Sequence, residues 1–258
     1  MSESDYPVLI SYSNFGYVKF AENLLRNLND TLKHHRVHFY CLDDETQAYL
    51  SGLGLNNIPL TFERVNEAVS KRFEAYGSAN YNKITHTKMN ILFKAVNDFK
   101  FIHFIDSDVV CIKEPSAEHY QKYKEYDIVF QHDAGFHTAT RFHAPTLHHI
   151  WTCTGNVSLR DTEGTAFILN KILEYQDRYP NKNDQECIYQ YFQDAGITDI
   201  RSLKEAKLYT YEVTEYTNGY WLNNNIGDLN ATYFFHANHV SGAAQKMQLL
   251  RKAGKWLV

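Results

Sequence analysis

The sequence has few cysteines, and their spacing is not typical of a metal site or of a redox-active pair. The four residues are widely spaced and include no Cys-x-x-Cys pair: Cys41, Cys111, Cys153 and Cys187. Residues 1–13 have no basic segment and no apolar stretch long enough for a signal peptide or a membrane span. We therefore expect reduced core thiols in a soluble cytoplasmic protein that does not cross a membrane.

The chain also lacks a surplus of positive charge. Its formal net charge is −4 and no long basic run occurs, so a nucleic-acid partner is not expected. Only five prolines are present, and no Pro- or Gly-rich linker, internal repeat or low-complexity segment divides the 258 residues. These absences favour a single domain.

Aromatic residues, in contrast, are abundant. The chain has 19 tyrosines, 16 phenylalanines and 3 tryptophans within an apolar content of 44%, which is ordinary for a globular protein. Aromatic faces suit stacking on nucleobases and on the apolar faces of sugars. A Tyr-rich core and surface explains the composition equally well.

The first 110 residues alternate short apolar runs with segments of helical periodicity. The predicted elements are strands over Val8–Tyr12, Val37–Leu42, Pro59–Val65 and Phe101–Ile105, and helices over 18–28, from about Glu45, and over Tyr81–Asn97. The Asp43-Asp44 pair can cap the second helix. A strand–helix order of this kind predicts right-handed crossovers and a parallel sheet.

Beyond residue 110 the order becomes mixed. The predicted elements are strands over Asp127–Gln131, Asn156–Leu159, Leu208–Val213 and Thr232–Phe235, and helices over Thr162–Arg178, Asp184–Phe192 and about Ala243–Ala253. We therefore predict an α/β fold with a mainly parallel, twisted central sheet flanked by helices. We expect one domain over 1–258, with a nucleotide-binding half at about 1–110 and a second half at about 111–258.

Two carboxylates, Asp106 and Asp108, follow the strand at Phe101–Ile105. Parallel sheets bind ligands at the carboxyl ends of their strands. Like charges so close raise each other's pKa unless a cation lies between them, which favours Mn²⁺ or Mg²⁺ bridging protein oxygens to substrate phosphates. Carboxylates that only cap the next turn are the alternative, because a composition like this one yields about one Asp-x-Asp by chance.

Two other strand ends carry polar groups that can reach the same edge of the sheet. They are the segment Ser11–Asn14 and the imidazole of His236. Two carboxylates and an imidazole suit Mn²⁺, with diphosphate oxygens and water completing six ligands. Downstream, Gly242 lets the backbone approach a diphosphate and Lys246 supplies charge. A core histidine and a solvated lysine are the simpler interpretations.

Four segments occur in the order typical of retaining glycosyltransferases with the GT-A fold: FIDSDVV, TGNVSLR, NDQ and HANHVSGAAQK. The sequence resembles the nucleotide-diphospho-sugar transferases of glycosyltransferase family 77, and more distantly glycogenin and the lipooligosaccharide galactosyltransferases, over about Val8 to Trp256. The resemblance implies a metal-dependent enzyme that moves a sugar from a nucleotide-sugar, most often a UDP-sugar, with retention. The acceptor would be a glycan, a glycolipid or a glycoprotein. Golgi members of the family have a membrane anchor, so the N-terminus favours a bacterial or viral-host cytoplasm.

The resemblance also implies roles for individual residues. Asp106, Asp108 and His236 would bind the metal. The donor contacts would be Ser11, Tyr12, Ser13, Asn14, Lys88, Asp106, Ser107, Thr154, Gly155, Asn156, Asn238, Gly242 and Lys246. Asp184 and Gln185 would lie beside the anomeric carbon and stabilise an oxocarbenium-like state. Front-face return assisted by the departing phosphate fits better than a covalent intermediate.

Some of these positions have simpler interpretations. Asp184 can be the N-cap of the helix that follows Asn183. One lysine on an amphipathic helix, such as Lys88, usually lies in solvent. Asp133 is a candidate acceptor contact, and the same side carries His137, Arg141 and His143.

Two other classes of protein fit parts of the pattern. Asp106-Ser-Asp-Val-Val also fits the first motif of haloacid-dehalogenase-like phosphatases, in which the first aspartate is a nucleophile, although that motif usually lies on an early strand. A sugar-binding protein that kept the fold and lost the reaction is the second alternative. Turnover of p-nitrophenyl phosphate with Mg²⁺, and of UDP-sugars with Mn²⁺, distinguishes the three.

Overall fold

The computed structural model describes residues 5–66, 69–133, 150–224 and 228–258. Its first half contains the predicted alternation of strands and helices. The bounds are β1 Val8–Ser13, α1 Val18–Thr31, β2 Val37–Cys41, α2 Asp44–Ser51, β3 Leu60–Arg64, α3 Ala79–Phe99 and β4 Phe101–Ile105. The predicted cap is confirmed, since the Asp43 side chain accepts from Thr46 N at the start of α2.

The second half contains more and shorter elements than the sequence predicts. The bounds are β5 Val109–Cys111, α4 Ala117–Gln121, β6 Ile128–His132, β7 Thr152–Arg160, α5 Glu163–Arg178, α6 Asp184–Asp194, β8 Leu208–Thr210, β9 Tyr216–Asn218, α7 Gly219–Asn223, β10 Phe234–His236 and α8 Ala243–Lys252. The strands β5 and β9 and the helices α4 and α7 were not predicted. Elements of three to five residues are too short to show a period.

Strands from both halves form one seven-stranded sheet with the order β3-β2-β1-β4-β7-β6-β8. The pairs β2/β3, β1/β2, β1/β4 and β6/β8 are parallel, whereas β7 runs antiparallel to both β4 and β6. The prediction of a mainly parallel sheet is confirmed. The reversed direction of β7 was not predicted, because an apolar run is the same in either direction.

A second, three-stranded sheet has the order β5-β10-β9. Its central strand β10 pairs antiparallel with β5 and parallel with β9, and His236 at its end lies opposite Val109 and Asn218. The small sheet therefore brings the C-terminal part of the chain beside the segment that follows β4.

The large sheet is covered on both faces, as the apolar run in β1 requires. Ile10 packs into a core with Leu92 of α3 and Ile172 of α5, whereas the neighbouring Leu9 packs on the opposite face with Leu24 of α1. All four cysteines are buried free thiols, as expected. Among the described residues, the helices are too short or too polar to cross a membrane.

Candidate active site

A cleft of about 620 Å³ opens at the carboxyl ends of β1 and β4. Parallel sheets place their ligands at this edge. Most of the predicted site residues line it: Tyr12, Ser13, Asn14, Lys88, Asp106, Ser107, Asp108, Thr154, Gly155, Asp184, Gln185, His236, Asn238, Gly242 and Lys246. The geometry thus brings together residues from both ends of the chain.

The three predicted metal ligands converge in this cleft. Asp106 and Asp108 lie in the turn between β4 and β5, and His236 ends β10. One potential ligand atom from each lies within 4.8 Å of the other two. His236 Nε2 is 3.3 Å from Asp108 Oδ1. Two carboxylate oxygens and an imidazole nitrogen, converging with one face open to the cleft, fit Mn²⁺ or Mg²⁺.

Gly155 makes this convergence possible. β7 bulges between its pairing with Phe130 and its pairing with Gln131, so that residues 154–156 have no partner on β6. The Gly155 carbonyl accepts from Asp106 N at 2.8 Å. A Cβ at position 155 would lie 2.5 Å from His236 Cε1 and closer still to Asp106 Oδ2. Glycine is therefore required by close approach of the ligands.

Lys88 is buried beneath the acidic residues, contrary to the interpretation of a solvated lysine. Its side chain is 3% exposed, and Nζ lies 3.2 Å from Asp106 Oδ1 and 3.0 Å from Asp184 Oδ2. Burial alone would lower the pKa of Lys88, but Asp106 and Asp184 outweigh it and raise the pKa well above its usual value. The charged ammonium group of Lys88 therefore forms ion pairs with both Asp106 and Asp184, the first residue of α6.

Lys246, on the first turns of α8, forms an ion pair with Asp108. Burial by itself would raise the pKa of Asp108, but Lys246 and His236 outweigh burial and hold the pKa well below its usual range. Burial raises the pKa of Asp106 although Lys88 opposes it, and the charge of Asp108 adds to the rise. Asp108 is thus the firmly ionised member of the pair.

Asp184 is not the cap of α6. Asn183 is the N-cap, and its side chain accepts from Glu186 N at 2.8 Å while Glu186 Oε2 accepts from Asn183 N at 2.9 Å. Asp184 is 3% exposed and accepts from Thr154 Oγ1 at 2.7 Å. The capping box therefore fixes α6 so that the Asp184 carboxylate faces β7 and Lys88.

Gln185 follows on the same turn and contacts Asp133 at the end of β6. Gln185 Nε2 donates to Asp133 Oδ2 at 2.9 Å, and Gln185 Oε1 lies 3.4 Å from Thr154 N. Asp133 also accepts from the Tyr189 hydroxyl at 2.9 Å and lies 3.0 Å from His239 Nε2. The Gln185 amide is thereby oriented with its carbonyl oxygen toward β7.

Two predicted donor contacts, Ser11 and Asn156, do not line the cleft. Ser11 is 1% exposed within β1. Asn156 is fully buried, and its Oδ1 lies 2.7 Å from His103 Nε2, because the bulge in β7 separates the direction of Asn156 from that of Thr154. Asn14 lines the cleft, yet its amide donates to the carbonyls of Ser70 and Arg72 and so serves to hold that segment.

Sequence reasoning did not predict several residues that line the cleft, including Tyr17, Phe73, Tyr76, Trp151, Tyr189 and His239. The high aromatic content was the only signal for most of them. His239 has a positive φ of 56°, which is uncommon for a side-chain-bearing residue and could not be inferred from sequence. The candidates His137, Arg141 and His143 lie outside the described residues.

Solved structures of glycosyltransferases share this fold. The galactosyltransferase LgtC, solved with donor and acceptor sugar analogues, matches with a TM-score of 0.59 at 9% identity over 97% of this chain and 96% of LgtC. Mouse xyloside xylosyltransferase 1 matches with a TM-score of 0.55 at 13% identity over 92% and 99%. A glycosyltransferase that acts in glycosylation of the major capsid of PBCV-1 matches with a TM-score of 0.51 at 12% identity over 95% and 98%. The fold is therefore GT-A, as predicted.

A sequence profile gives the family. The profile of the nucleotide-diphospho-sugar transferases matches residues 32–250, and the chain belongs to that family of glycosyltransferases. A search of curated proteins found no match. The family match confirms the resemblance inferred from the four sequence segments, and it favours the transferase interpretation over the phosphatase one.

Proposed function

We propose that this protein is a Mn²⁺- or Mg²⁺-dependent, retaining glycosyltransferase that uses a UDP-sugar. The observation that supports this most directly is the meeting of Asp106, Asp108 and His236 with Lys246 and Lys88 in one cleft. The three ligand atoms suit a divalent metal, and the ammonium groups add positive charge beside the diphosphate that the metal would hold.

The cleft offers separate surfaces for the parts of such a donor. Tyr17 and Phe73 pack with ring centroids 4.5 Å apart beside Asn14, and they provide an aromatic surface for a base. The bound metal would neutralise charge on the diphosphate. Lys246 and the amide groups at the start of α8, after Gly242, would bind the phosphate oxygens.

The residues beside the sugar favour retention without a covalent intermediate. The Asp184 carboxylate already accepts from Lys88 and Thr154, and Gln185 presents a neutral carbonyl oxygen. Neither group is a free carboxylate that could attack the anomeric carbon. Both can stabilise positive charge on the sugar ring, and the departing phosphate would take the proton of the acceptor hydroxyl on the same face.

The acceptor would approach on the side of Asp133. That side of the cleft carries Asp133, Tyr189, Trp151 and Tyr76. Aromatic rings with polar groups between them suit a glycan, either free or on a lipid or protein. We expect the protein to act in the cytoplasm.

A screen of nucleotide-sugars tests the donor. The protein should show Mn²⁺-dependent thermal stabilisation by UDP-sugars above that by GDP-sugars, and slow hydrolysis of the preferred one. Hydrolysis of p-nitrophenyl phosphate with Mg²⁺ should be absent. Stabilisation without any hydrolysis or transfer would instead support an inactive sugar-binding protein.

Asp108→Asn tests the metal assignment. The neutral amide removes the firmly ionised ligand, so Mn²⁺-dependent donor binding and turnover should fall by at least about 100-fold while the fold is retained. Isothermal titration with Mn²⁺ and UDP, and circular dichroism of the same samples, provide the comparison. Transfer at the parent rate would contradict the metal assignment.

A further inference from the structure

Gln131, which ends the regular part of β6, is a fully buried glutamine with every polar atom engaged. Its Nε2 donates to the carbonyl of Tyr216 at 3.1 Å and to that of Thr217 at 2.9 Å, both on β9. Its Oε1 lies 3.2 Å from Nδ1 of His236. The side chain is 0% exposed and connects the large sheet with the small one.

These contacts allow one orientation of the amide. A flipped amide would place Oε1 against two carbonyl oxygens and leave Nε2 facing His236. The two carbonyls can only accept, so the group that faces them must be the NH₂. Gln131 therefore presents an acceptor to His236.

An acceptor at Nδ1 determines which ring nitrogen of His236 is available. Nδ1 must carry a proton to donate to Gln131, so Nε2, which lies 3.3 Å from Asp108 Oδ1, is the ring nitrogen whose lone pair a metal would take. Cys153 Sγ is also 3.5 Å from Nδ1, but sulfur is the weaker acceptor.

We propose that Gln131 is the positioning residue of the metal site, and that it fixes the rotation and the Nδ1–H tautomer of His236 so that Nε2 is the ligand atom. The proposal rests on the proposed function, which makes His236 a ligand. Partners of metal-bound histidines usually act through the second ring nitrogen in this way. On β6, Gln131 lies two residues after Val129, whose side chain packs in the same cluster as Tyr216 of β9.

Two substitutions separate this role from simple packing. Gln131→Met keeps the size of the side chain and removes both the acceptor and the donors. Gln131→Glu keeps an oxygen opposite Nδ1. Because this buried site favours the neutral carboxylic acid, its hydroxyl can still donate to a carbonyl of β9. Electron paramagnetic resonance of Mn²⁺ titrated into each protein gives the dissociation constant without any sugar donor. We expect binding about 10- to 100-fold weaker in Gln131→Met and recovered to within a few-fold in Gln131→Glu.

Two control substitutions test whether the change in Mn²⁺ affinity is specific to Gln131. Gln176→Met changes a second buried glutamine, on α5, and should leave Mn²⁺ affinity unchanged. Cys153→Ala removes the other neighbour of Nδ1 and should also leave affinity unchanged. Should Gln131→Met fail to fold, nitrogen-15 NMR of histidine-labelled wild-type protein loaded with diamagnetic Zn²⁺ reports the tautomer directly, and the proton is expected on Nδ1.

The outcomes distinguish this inference from the function it rests on. Wild-type affinity in Gln131→Met, equal losses in the Met and Glu variants, or a proton on Nε2 would each overturn the role of Gln131 while the metal site stands. No Mn²⁺ binding by the wild-type protein would overturn both. Loss in Gln131→Met with recovery in Gln131→Glu supports both.

Discussion

At the scale of single residues, the site depends on Gly155, which has no side chain. Gly155 leaves the space in which Asp106 and His236 approach each other. We predict that Gly155→Ala weakens Mn²⁺ binding by at least about 10-fold, because one of the two ligands must move. Mn²⁺ titration measures the effect. Gly52→Ala, where the nearest atom to the new Cβ is 3.4 Å away, is the matched control and should bind Mn²⁺ as the wild type does.

A buried histidine beneath the site predicts a dependence of stability on pH. His103 is fully buried between Tyr120 and Asn156, and burial lowers its pKa from 6.5 to about 3. The native ring stays neutral while the unfolded one protonates below about pH 6.5, so protons favour the unfolded chain. The contribution of His103 to the free energy of unfolding is fully present above about pH 6.5. It is lost as the pH falls toward 3, by up to about 1.4 kcal/mol per pH unit.

His103→Gln isolates this contribution, because glutamine keeps polar atoms between the same partners without a titrating ring. Urea unfolding at about pH 7 and about pH 5 gives the free energy of unfolding of both proteins. The wild type should lose more of it over this interval than His103→Gln does. Equal losses in the two proteins would contradict the assignment to His103.

Sequence reasoning located residues of the cleft where their position follows from the strand pattern, and it failed where the backbone departs from regular strand geometry. The pair Asp106 and Asp108 was predictable, because an apolar strand ends directly before it. For Lys88 only the resemblance suggested a place in the site, because a helix pattern marks lysine as polar without showing that Asp106 and Asp184 lie beside it. The direction of Asn156 depends on a bulge that the sequence does not reveal.

At the scale of secondary structure elements, α6 is the element that positions Asp184 and Gln185, which we propose lie beside the sugar. Its N-cap Asn183 also donates from Nδ2 to the Tyr76 hydroxyl at 3.1 Å. We predict that Asn183→Ala lowers the free energy of unfolding by about 1 kcal/mol. We also expect the rate of donor hydrolysis to fall, because Asp184 and Gln185 lie on the turn that the cap holds.

Asn183→Asp provides the comparison for this prediction. Aspartate keeps the oxygen that caps the helix and loses only the donor to Tyr76. Thermal unfolding and hydrolysis should therefore remain close to the wild-type values. A loss of activity equal to that of Asn183→Ala would assign the effect to Tyr76 instead of the cap.

The secondary structure elements also differ in how well they can be predicted from the sequence. The long helices α1, α3 and α5 and the strands β1, β2 and β4 have apolar patterns of clear period, and their predicted bounds are within a few residues of the observed ones. β5 and β9 have three residues each, and their pairing with β10 depends on contacts distant in sequence. The small sheet that carries His236 therefore could not be predicted.

At the scale of the whole molecule, a bound metal would join two sheets. Asp106 and Asp108 follow a strand of the large sheet, and His236 ends a strand of the small one. Mn²⁺ at about 100 times its dissociation constant should stabilise the native state by about 2.7 kcal/mol. That corresponds to a rise in the melting temperature of roughly 5–10 °C for a chain of this size.

Differential scanning calorimetry with and without Mn²⁺, followed by a chelator, measures this stabilisation. Asp108→Asn should show no rise in melting temperature with Mn²⁺. A rise of the same size in that variant would mean that the ion binds elsewhere.

The strand order β5-β10-β9 has a consequence for how the protein is made. β10 lies between two strands that precede it in the chain, so the small sheet closes only when the last of the three leaves the ribosome and inserts between the others. The large sheet, and much of the surface for the nucleotide, can assemble earlier. A partly synthesised chain therefore lacks His236, the proposed third metal ligand, and the proposed metal site forms only once β10 is in place.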